Sequence, residues 1–412
     1  MNIGVVLDYE RDWPPGIRAE KQSIALAEAG HEVFVFTPKY KKELPDSEFN
    51  EELQSTIWRA SVDKTQSSYL KTAIRALTIY DGRYLEPIKE FIKANDIQVL
   101  HVHDIWLIPV SQNAAKEFDI PVVADLHENM PAAMVAARSE MSLFKKIIHG
   151  FFWNYRLMRW HERRMLKKCI HNFVVAEEAT DRLIEYGIDS DKISVVSNTE
   201  DETTFDFKSD TADPMIVERY TNNFMCSYVG TIGAHRGLDT VLKAISECTE
   251  SIPNLKLVIV GADATSKEKI RSEIERYNIS DWVELYGWLP FEKVQSYIKA
   301  SDVCLVPHND FEHTQTTIPH KLFQYMICSK PVLVSDCKPL KRVVSDSNCG
   351  LIFQASNHSS FANKLIEMYV NRSKLNEFGE NGRASALGKY AWRNDAKVLK
   401  EVYSKIQENT IN

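Results

Sequence analysis

The chain has 412 residues, and its length, composition and charge already exclude several classes of protein. Single hydrophobic cores stop growing at roughly 250–300 residues, so this length predicts two domains. Hydrophobic residues at 44% and charged residues at 26% are typical of a globular protein and exclude a disordered or fibrous chain. The net charge of −7 excludes a globally basic nucleic-acid-binding protein.

The cysteines and the N-terminus indicate where the protein works. Seven cysteines form no CxxC pair, which argues against a zinc module or a disulfide scaffold and favours a reducing compartment. No uninterrupted apolar run reaches the 18 or so residues that span a bilayer. The chain enters a strand-like run at 3–7 without a basic n-region or a cleavage site, so we expect a cytoplasmic protein.

Strand-like runs alternate with helical patterns, which predicts a parallel α/β architecture. In the first half, a helix over 20–29 ends at Gly30, and the predicted strands are 3–7, 32–36, 99–102, 121–126 and 173–176. In the second half the predicted strands are 224–229, 256–260, 283–286, 303–306 and 331–335, with helices over 238–248, 267–277, 292–300 and 321–326. The polar stretch 198–213 separates the two series and is interpreted as a linker.

This alternation predicts two doubly wound Rossmann-like domains that face each other across a cleft. We place the N-terminal domain at 1–205 and the C-terminal domain at 206–389. In such sheets, ligands bind beyond the carboxyl ends of the strands. The turns that follow the predicted strands are therefore the candidate binding sites.

A glycine-rich turn over 230–237 (GTIGAHRG) follows one predicted strand and opens a helix. Its glycines, Gly233 among them, let backbone amides approach an anion, and the helix N-terminus adds positive potential. Arg236 could then pair with phosphate oxygens. The spacing is neither GxGxxG nor GxxxxGK[ST], which counts against a dinucleotide or P-loop site. The alternative is a tight turn that needs glycine for its backbone angles.

Three weaker candidates lie in the first half. Gly16, in a PPG loop after the first strand, could admit a phosphate or simply make a turn. His127 stands at the end of a predicted strand, where it would face the cleft or serve a structural role. His101 and His103 alternate onto one strand face, but no third ligand is evident, so we expect no metal.

The segment 315–326 supports two interpretations. Pro319 suits the first turn of a helix, Thr316 or Thr317 suits its cap, and Lys321 follows in the opening turn. Structurally this is a well-started helix. Functionally, a helix N-terminus that carries a lysine is an anion site, and position alone does not separate the two.

Taken together, these motifs resemble the family 4 retaining glycosyltransferases of the GT-B fold. The resemblance covers nearly the whole chain and rests on an ordered series of motifs: EAGHEVFVFT at 28–37, LHVHD at 100–104, ADLHENMP at 124–131, ISVVSN at 193–198, YVGTIGAHRGLD at 228–239, VELYGWLP at 283–290, ASDVCLVPH at 300–308 and IPHKLFQYMICSKPVLVSD at 318–336. Trp392 and Tyr403 match the family's C-terminal helix, which returns to the N-terminal domain, so we expect such a helix at about 390–412.

The resemblance implies a role for each candidate residue. It implies catalytic contacts from His127 to the donor sugar, and from Arg236 and Lys321 to phosphate. It implies donor-binding contacts from a further set of residues: Gly16, Gly233, Tyr286, Gly287, Thr316, Thr317, Ile318, Pro319 and Gln324. The family transfers a sugar with retention and without a metal, so we expect no cofactor beyond the nucleotide-sugar donor. Positive charge and amide dipoles would then carry most of the catalysis.

The sequence departs from the family pattern at three positions. Many members carry two glutamates eight residues apart on the donor helix, where this chain has Thr316 and Gln324. As a neutral acceptor, Gln324 should bind a ribose hydroxyl more weakly than a carboxylate does. An arginine that is common after VG is Thr231 here, which removes one phosphate-binding cation.

Residues 141–169 form a basic segment. It contains eight lysines and arginines against one glutamate, a net of +7, which leaves −14 for the rest of the chain. As one continuous helix it would turn Phe144, Ile148, Phe151, Tyr155 and Met158 to the core and Lys145, His149, Trp153, Arg156, Trp160, Arg163 and Lys167 outward. Tryptophan among cations favours an anionic membrane surface or a lipid-linked acceptor. The alternatives are a solvated helix and, least favoured, nucleic acid.

We therefore expect a glycosyltransferase that moves a sugar from a nucleotide diphosphate donor, preferably UDP-linked, to a glycan or lipid-linked acceptor. We expect it at the inner face of the cell membrane, attached through 141–169 and not bound to nucleic acid. Two alternatives remain: a catalytically weak sugar-nucleotide-binding partner of another transferase, and a nucleotide-sugar epimerase on the same fold.

Overall fold

The protein is described by a computed structural model over residues 1–8, 17–39, 41–62, 75–201 and 212–411. These residues form two compact units, one made of Met1–Ser197 with Asp395–Asn412 and the other of Asn198–Asn394. Each unit carries its own sheet. The predicted α/β class with two parallel-sheet domains is therefore confirmed. Gly16 and the predicted 205/206 boundary lie outside the described residues.

The first unit is built on an eight-stranded sheet of order β3-β4-β2-β1-β5-β6-β7-β8. All neighbouring strands are parallel except β3 and β4. The strands are β1 (Asn2–Val6), β2 (Glu32–Pro38), β3 (Ser47–Asn50), β4 (Ser55–Ala60), β5 (Val99–His103), β6 (Val122–Leu126), β7 (His171–Val174) and β8 (Ile193–Val195). Strands β5, β6 and β7 are buried along their whole length, as expected of parallel strands covered on both faces.

Helices whose full bounds lie among the described residues connect these strands. They are α1 (Ile17–Glu28), α2 (Leu85–Ala94), α3 (Ile108–Phe118), α4 (Met130–Ala137), α5 (Leu143–Phe152), α6 (Tyr155–Leu166) and α7 (Glu177–Glu185). Strand β1 lies between β2 and β5, so the direction of winding reverses there. The carboxyl ends of β1 and β5 therefore mark the position where a doubly wound sheet binds ligands.

The second unit is built on a six-stranded parallel sheet of order β11-β10-β9-β12-β13-β14. Its strands are β9 (Phe224–Val229), β10 (Leu255–Val260), β11 (Val283–Tyr286), β12 (Val303–Val306), β13 (Val332–Ser335) and β14 (Gly350–Phe353). Its helices are α8 (Pro214–Arg219), α9 (Leu238–Cys248), α10 (Ala264–Arg276), α11 (Phe291–Ala300), α12 (His320–Ile327), α13 (Lys338–Ser347), α14 (His358–Val370) and α15 (Leu375–Leu387). Winding reverses between β9 and β12, so the turns after these two strands are neighbours.

The last helix, α16 (Trp392–Ile411), confirms the predicted return to the N-terminal domain, because Asp395 and the residues after it belong to the first unit. Its Leu399, Tyr403 and Ile406 are buried. The Tyr403 hydroxyl lies 2.7 Å from Nδ1 of His101 in β5. The Asp395 carboxylate accepts a hydrogen bond from the Ser197 amide at 2.8 Å.

The basic segment 141–169 differs from the prediction, because it is two helices and not one. Helix α5 ends at Phe152, and the Asn154 side chain caps α6 by accepting from the Leu157 amide at 3.1 Å. The interruption changes the phase of the apolar stripe. In α6, Met158 faces the core as predicted, but no residue of α5 is buried.

The exposed apolar side chains of α5 overturn the prediction that its stripe faces the core. Phe144 is 73% exposed and Phe151 68% exposed, and Ile148 is also exposed. Trp153, predicted to face outward, instead packs on the core with its ring 5.3 Å from that of Trp106. Among the described helices, none has the length and apolar character needed to cross a membrane.

The predicted linker over 198–213 also needs correction at its start. Asn198 and Glu200 are buried and belong to the second unit. Asn198 Nδ2 donates to the Ile318 carbonyl at 2.8 Å, directly before α12. The polar composition of these residues therefore reflects hydrogen bonds to the second unit. Residues 202–211 are outside the described part of the chain.

Candidate functional site

The glycine-rich turn after β9 approaches the turn after β12 very closely. Gly237 has φ +71°, and a Cβ added there would lie 1.7 Å from the Pro307 carbonyl oxygen. Only glycine fits both the backbone angle and the contact. Asn309 joins the same two turns, because its amide donates to the His235 carbonyl at 3.0 Å and its Nδ2 donates to the Ala234 carbonyl at 2.9 Å.

This contact places Arg236 beside the end of β12. Nη1 of Arg236 lies 3.2 Å from Nε2 of His308, which is buried. The ring centroids of His235 and His308 are 6.3 Å apart, and those of His235 and His313 are 5.0 Å apart. Gly233, which precedes the short helical turn of Arg236, has extended backbone angles. The turn therefore presents one arginine among three histidines.

Lys321 comes to the same turn from the first turn of α12, where the sequence predicts it. Its Nζ lies 3.6 Å from the centroid of the Tyr228 ring, and a Cβ on Gly230 would be 3.0 Å from that nitrogen. The side chain is buried, and Nζ has no hydrogen-bond partner among the described residues. Burial first, and the charge of Arg236 second, hold the pKa of Lys321 well below its ordinary value.

The start of α12 differs in detail from the sequence prediction. Pro319 occupies the cap position and not the first turn, and it makes no side-chain capping bond. Thr316, one of the two predicted caps, instead donates its hydroxyl hydrogen to the His313 and Glu312 carbonyls, at 3.3 and 3.4 Å. Thr317 and Ile318 are buried. The Thr316 hydroxyl is therefore bonded to the preceding turn and does not cap the helix.

Gln324, on the next turn of α12, is held by a carboxylate that sequence reasoning missed. Its Nε2 donates to Oε1 of Glu200 at 3.0 Å, and Nδ1 of His320 lies 3.1 Å from the same oxygen. Glu200 is only 3% exposed. A carboxylate only accepts, so the contact fixes the orientation of the Gln324 amide and leaves its carbonyl oxygen as the acceptor for another group.

Tyr286 and Gly287 lie at the end of β11, beside the turn that follows β10. The Gly261 amide donates to the carbonyls of Tyr286 and Gly287, at 3.2 and 3.1 Å. The Tyr286 hydroxyl donates to Glu284 at 2.7 Å, and its ring packs 5.0 Å from that of Tyr297. The side chain of Tyr286 is thus committed to a structural network, and Trp288 after it is 68% exposed.

In the first unit, His127 belongs to a polar cluster at the ends of β5 and β6. Its Nε2 lies 2.8 Å from Nδ1 of His103, and its Nδ1 lies 3.4 Å from the Asp104 carboxylate. Burial alone lowers the pKa of His127, but Asp104 and Asp125 outweigh it and raise that pKa above its ordinary value. In His103, burial prevails and lowers the pKa to about 3. His127 therefore holds a proton more strongly than His103 does.

The expectation that His101 and His103 lack a third ligand is wrong. Asp125 pairs with His103 in the strand register, and the ligand atoms of Asp125 and both histidines lie within 4.8 Å of one another. However, Arg18 also pairs with both Asp125 oxygens, at 2.8 and 2.5 Å. Burial alone would raise the pKa of Asp125, but Arg18 and the histidines hold it well below its ordinary value. Because both oxygens of Asp125 are already paired with Arg18, this carboxylate is poorly suited to bind a metal cation as well.

The structure thus brings together part of the predicted site. Gly233, Arg236 and Lys321 converge in the second unit, and the residues before α12 lie next to Lys321 in the chain. The residues missed by sequence reasoning are His308, Glu200 and Asp125. His308 could have been found from the sequence, because it lies two residues after the predicted strand 303–306, in a turn where ligands bind. Glu200 and Asp125 could not have been found in this way, because their partners come from distant segments.

Two family models match the chain over most of its length. The model described as Glycosyltransferase Family 4 matches residues 18–202, and the model described as Glycosyl transferases group 1 matches residues 210–385. A phosphatidyl-myo-inositol mannosyltransferase of Mycobacterium leprae is 21% identical, covering 98% of this chain and 97% of its own. An uncharacterized glycosyltransferase of Methanocaldococcus jannaschii is 20% identical over 58% of this chain, but only 57% of that relative's length is spanned.

Solved structures share the fold at low sequence identity. Sucrose-phosphate synthase from Thermosynechococcus elongatus has a TM-score of 0.79 at 17% identity, covering 99% of both chains. HepE of Anabaena, solved in complex with UDP-glucose, has a TM-score of 0.69 at 14% identity, covering 98% of this chain and 100% of its own. With the family models, the two parallel sheets and the returning helix, this chain belongs to the family 4 glycosyltransferases and has the GT-B fold.

Proposed function

We propose that this glycosyltransferase is a retaining enzyme that takes its sugar from a UDP-linked donor and needs no metal. The observation that carries the proposal is the convergence of Arg236 and the buried Lys321 on the glycine-rich turn after β9. A buried lysine without a hydrogen-bond partner is unfavourable in the free protein. A bound diphosphate supplies the missing acceptors and the opposite charge.

The same groups suit the chemical step. As the bond between sugar and diphosphate breaks, negative charge grows on the leaving oxygen. Arg236, Lys321 and the N-terminus of α12 would stabilise that charge from fixed positions. Departure of the diphosphate and attack by the acceptor on one face need no protein nucleophile. His127 would contact the donor sugar.

UDP is the favoured nucleotide because HepE, a neighbour in fold, was solved with UDP and with UDP-glucose. Metal independence is supported by the distribution of ligating side chains. Among the described residues, the single cluster that could hold a metal comprises His101, His103 and Asp125 in the first unit. In the described part of the second unit, the cations of Arg236 and Lys321 would neutralise the diphosphate in place of a metal.

We further propose that the acceptor is a glycan or a lipid-linked sugar, reached at the inner face of the cell membrane. Helix α5 supports this, because it exposes Leu143, Phe144, Ile147 and Phe151 within a segment of net charge +7. An exposed apolar face among cations complements an anionic lipid surface, where each cation contributes about 1 kcal/mol. The proposed lipid contact differs from the one predicted from the sequence. Trp153 packs on Trp106, so we assign the contact with lipid to the apolar face of α5.

A second candidate is a catalytically weak sugar-nucleotide-binding partner of another transferase. Two observations favour it: Thr316 bonds back to carbonyls of its own turn, and the Gln324 amide is held by Glu200. Neither position offers a free carboxylate to a donor hydroxyl. This candidate predicts donor binding without transfer, whereas an epimerase would convert the donor with no acceptor present.

The test is calorimetric titration with a panel of nucleotide sugars in the presence of EDTA, followed by transfer to short glycan and prenyl-diphosphate-linked acceptors. A UDP-sugar that binds in EDTA and is transferred with an unchanged anomeric configuration, read by NMR, supports the proposal. Loss of binding in EDTA would refute metal independence, and an inverted product would refute retention. Donor binding without transfer would favour the partner subunit.

A further inference from the structure

His308 shows its hydrogen-bonding state through its contact with Arg236. A guanidinium group only donates, so Nε2 of His308, 3.2 Å from Nη1, must accept. The neutral ring then carries its proton on Nδ1. Burial first, and then the charges of Arg236 and Lys321 and the imidazoles of His235 and His313, hold the pKa of His308 well below its ordinary value. The ring therefore stays neutral with a proton on Nδ1.

That proton has no recipient among the described residues. Nδ1 of His308 is buried and makes no hydrogen bond there, and the same holds for Nζ of Lys321 and Nε2 of His235. His308 is only 1% exposed. Burial lowers the pKa of His235 to about 3, with further contributions from Arg236, His313 and Lys321, so His235 adds no charge at neutral pH.

The surroundings provide donors rather than acceptors. The Asp239 carboxylate, in the first turn of α9, accepts from Asn309 Nδ2 at 3.0 Å. The interactions that act most strongly on His308 come from cations and imidazoles. Buried donors without acceptors are rare in folded proteins and call for a ligand or another explanation. An anion with several oxygens meets this need.

We propose that His308 is a further donor-binding residue: a neutral imidazole whose Nδ1–H bonds an oxygen of the anion held by Arg236 and Lys321. Arg236 fixes the tautomer of His308, and the Asn309 bridges hold the turn of Arg236 against β12. A protonated ring would turn Nε2 into a donor facing a donor and break the contact with Arg236. The identity of the anion as a diphosphate rests on the proposed function.

The test uses four proteins, the unmodified protein and three variants, in calorimetric titrations with UDP and inorganic pyrophosphate as probes. His308→Asn keeps an amide that can donate near the position of Nδ1, whereas His308→Phe removes both ring nitrogens. We expect His308→Phe to weaken pyrophosphate binding at least tenfold and His308→Asn less than threefold. His358→Phe, at a histidine beside Glu247 in the same unit, should leave binding unchanged.

The outcomes separate this inference from the proposed function. Unchanged pyrophosphate affinity in His308→Phe, or equal weakening in His308→Phe and His308→Asn, overturns the role of His308 while the donor proposal stands. Pyrophosphate binding that depends on His308, without any nucleotide binding, supports the inference and refutes the UDP donor. No pyrophosphate binding by the unmodified protein overturns the anion site itself.

A second readout examines the tautomer. In nitrogen-15 NMR spectra, assigned by comparison with His308→Asn, His308 should remain neutral with its proton on Nδ1 between pH 6 and 8. The Nδ1 signal should shift when pyrophosphate is added. A ring that is protonated, or that carries its proton on Nε2, overturns the inference.

Discussion

Gln324 and Glu200 form an amide–carboxylate pair, with Nε2 of Gln324 3.0 Å from Oε1 of Glu200. The pair comes from segments far apart in the sequence, yet both residues belong to the second unit. The resemblance to the family implies a glutamate at the position of Gln324. Here a glutamate would face the buried carboxylate of Glu200, so the amide is the residue that fits this neighbour.

Restoring the family glutamate should therefore harm the protein. Gln324→Glu places a second carboxylate beside the buried carboxylate of Glu200, and we expect the free energy of unfolding at pH 7 to fall by about 1–3 kcal/mol. Urea denaturation measures this change. The exchange Glu200→Gln with Gln324→Glu keeps one charge and should recover most of the loss. A single variant as stable as the unmodified protein, or a double variant no better than the single one, contradicts the pairing.

Lys321 should reduce stability and increase donor affinity. Its pKa in the folded protein is well below the value in the unfolded chain, so the unfolded state binds more protons between the two values and stability rises with pH across that window. Lys321→Met should make the ligand-free protein more stable by about 1–3 kcal/mol at pH 7, because a buried unpaired donor is removed. It should also abolish UDP binding.

Proton uptake provides a separate check on Lys321. A bound diphosphate raises the pKa of Lys321 again, so binding should take up a proton when the free lysine is neutral. Titrations in two buffers of different ionisation enthalpy measure this uptake. Binding without proton uptake would show that Lys321 is already charged in the free protein.

Arg236 should matter more for catalysis than Gln324. Arg236 would contact a diphosphate whose charge grows in the transition state. Arg236→Ala should therefore reduce kcat/KM roughly 150-fold, a loss of about 3 kcal/mol of transition-state stabilisation. Gln324→Ala would remove one neutral hydrogen bond, about 1 kcal/mol. Arg276→Ala, at an exposed arginine paired with Glu273, is the control. Equal losses at the two positions would show that their roles are assigned wrongly.

Helix α5 should bind anionic vesicles through its apolar face and its charge together. Two double variants should each reduce co-sedimentation with anionic vesicles: Phe144→Ser with Ile147→Ser, and Lys145→Glu with Lys146→Glu. High salt should weaken vesicle binding by the unmodified protein. Phe49→Ser, at another exposed phenylalanine of the same unit, is the matched control. If the variants change the oligomeric state and not vesicle binding, a second copy of the chain covers α5.

His171 should contribute to loss of stability in acid. It is buried in β7 with Nε2 3.0 Å from the Ser194 hydroxyl, and burial, with the charge of Lys405, lowers its pKa to about 4 from 6.5. The unfolded state therefore binds more protons between these values, and stability falls as the pH falls through them. Between pH 7 and 5 this amounts to about 2 kcal/mol.

Replacing His171 tests this contribution. His171→Gln can keep the bond to Ser194 without titrating, so its stability should fall less than that of the unmodified protein between pH 7 and 5. Denaturation curves at both pH values give the comparison. The free energies of unfolding at pH 7 correct for packing lost in the variant, since His171 is mostly neutral at that pH in both the folded and the unfolded state. Equal losses would exclude His171 as the acid-sensitive group.

Local sequence patterns were sufficient where structure depends on neighbouring residues. The strand over 224–229 and the helix over 238–248 have the predicted bounds, since β-rich residues, glycines and helical periodicity all agree there. Strands β3, β4, β8 and β14 were not predicted. Each has only three to six residues. Strands β3, β8 and β14 are edge strands and β4 lies next to an edge strand, and the apolar pattern is weak in such positions.

The candidate site was predicted where a motif is local and missed where it depends on strand order. Arg236 and Lys321 follow a strand and open a helix, so their neighbourhoods identify them. Asp125 meets His103 only because β5 and β6 are paired in one register, and Glu200 meets Gln324 across 124 positions of sequence. The failure at Phe144 has a local cause, since the Asn154 cap divides a helix that the periodicity treats as continuous.

Helix α16 bears on how the chain folds as it leaves the ribosome. Leu399, Tyr403 and Ile406 complete the core of the first unit, but they are synthesised after the second unit. While the second unit emerges, the nascent N-terminal unit therefore lacks part of its interior, and His101 lacks its hydrogen-bond partner, the Tyr403 hydroxyl. Domains usually fold in the order of their synthesis. Here the first unit is finished only after the second has been synthesised, so termination before Leu399 leaves both its core and its histidine cluster incomplete.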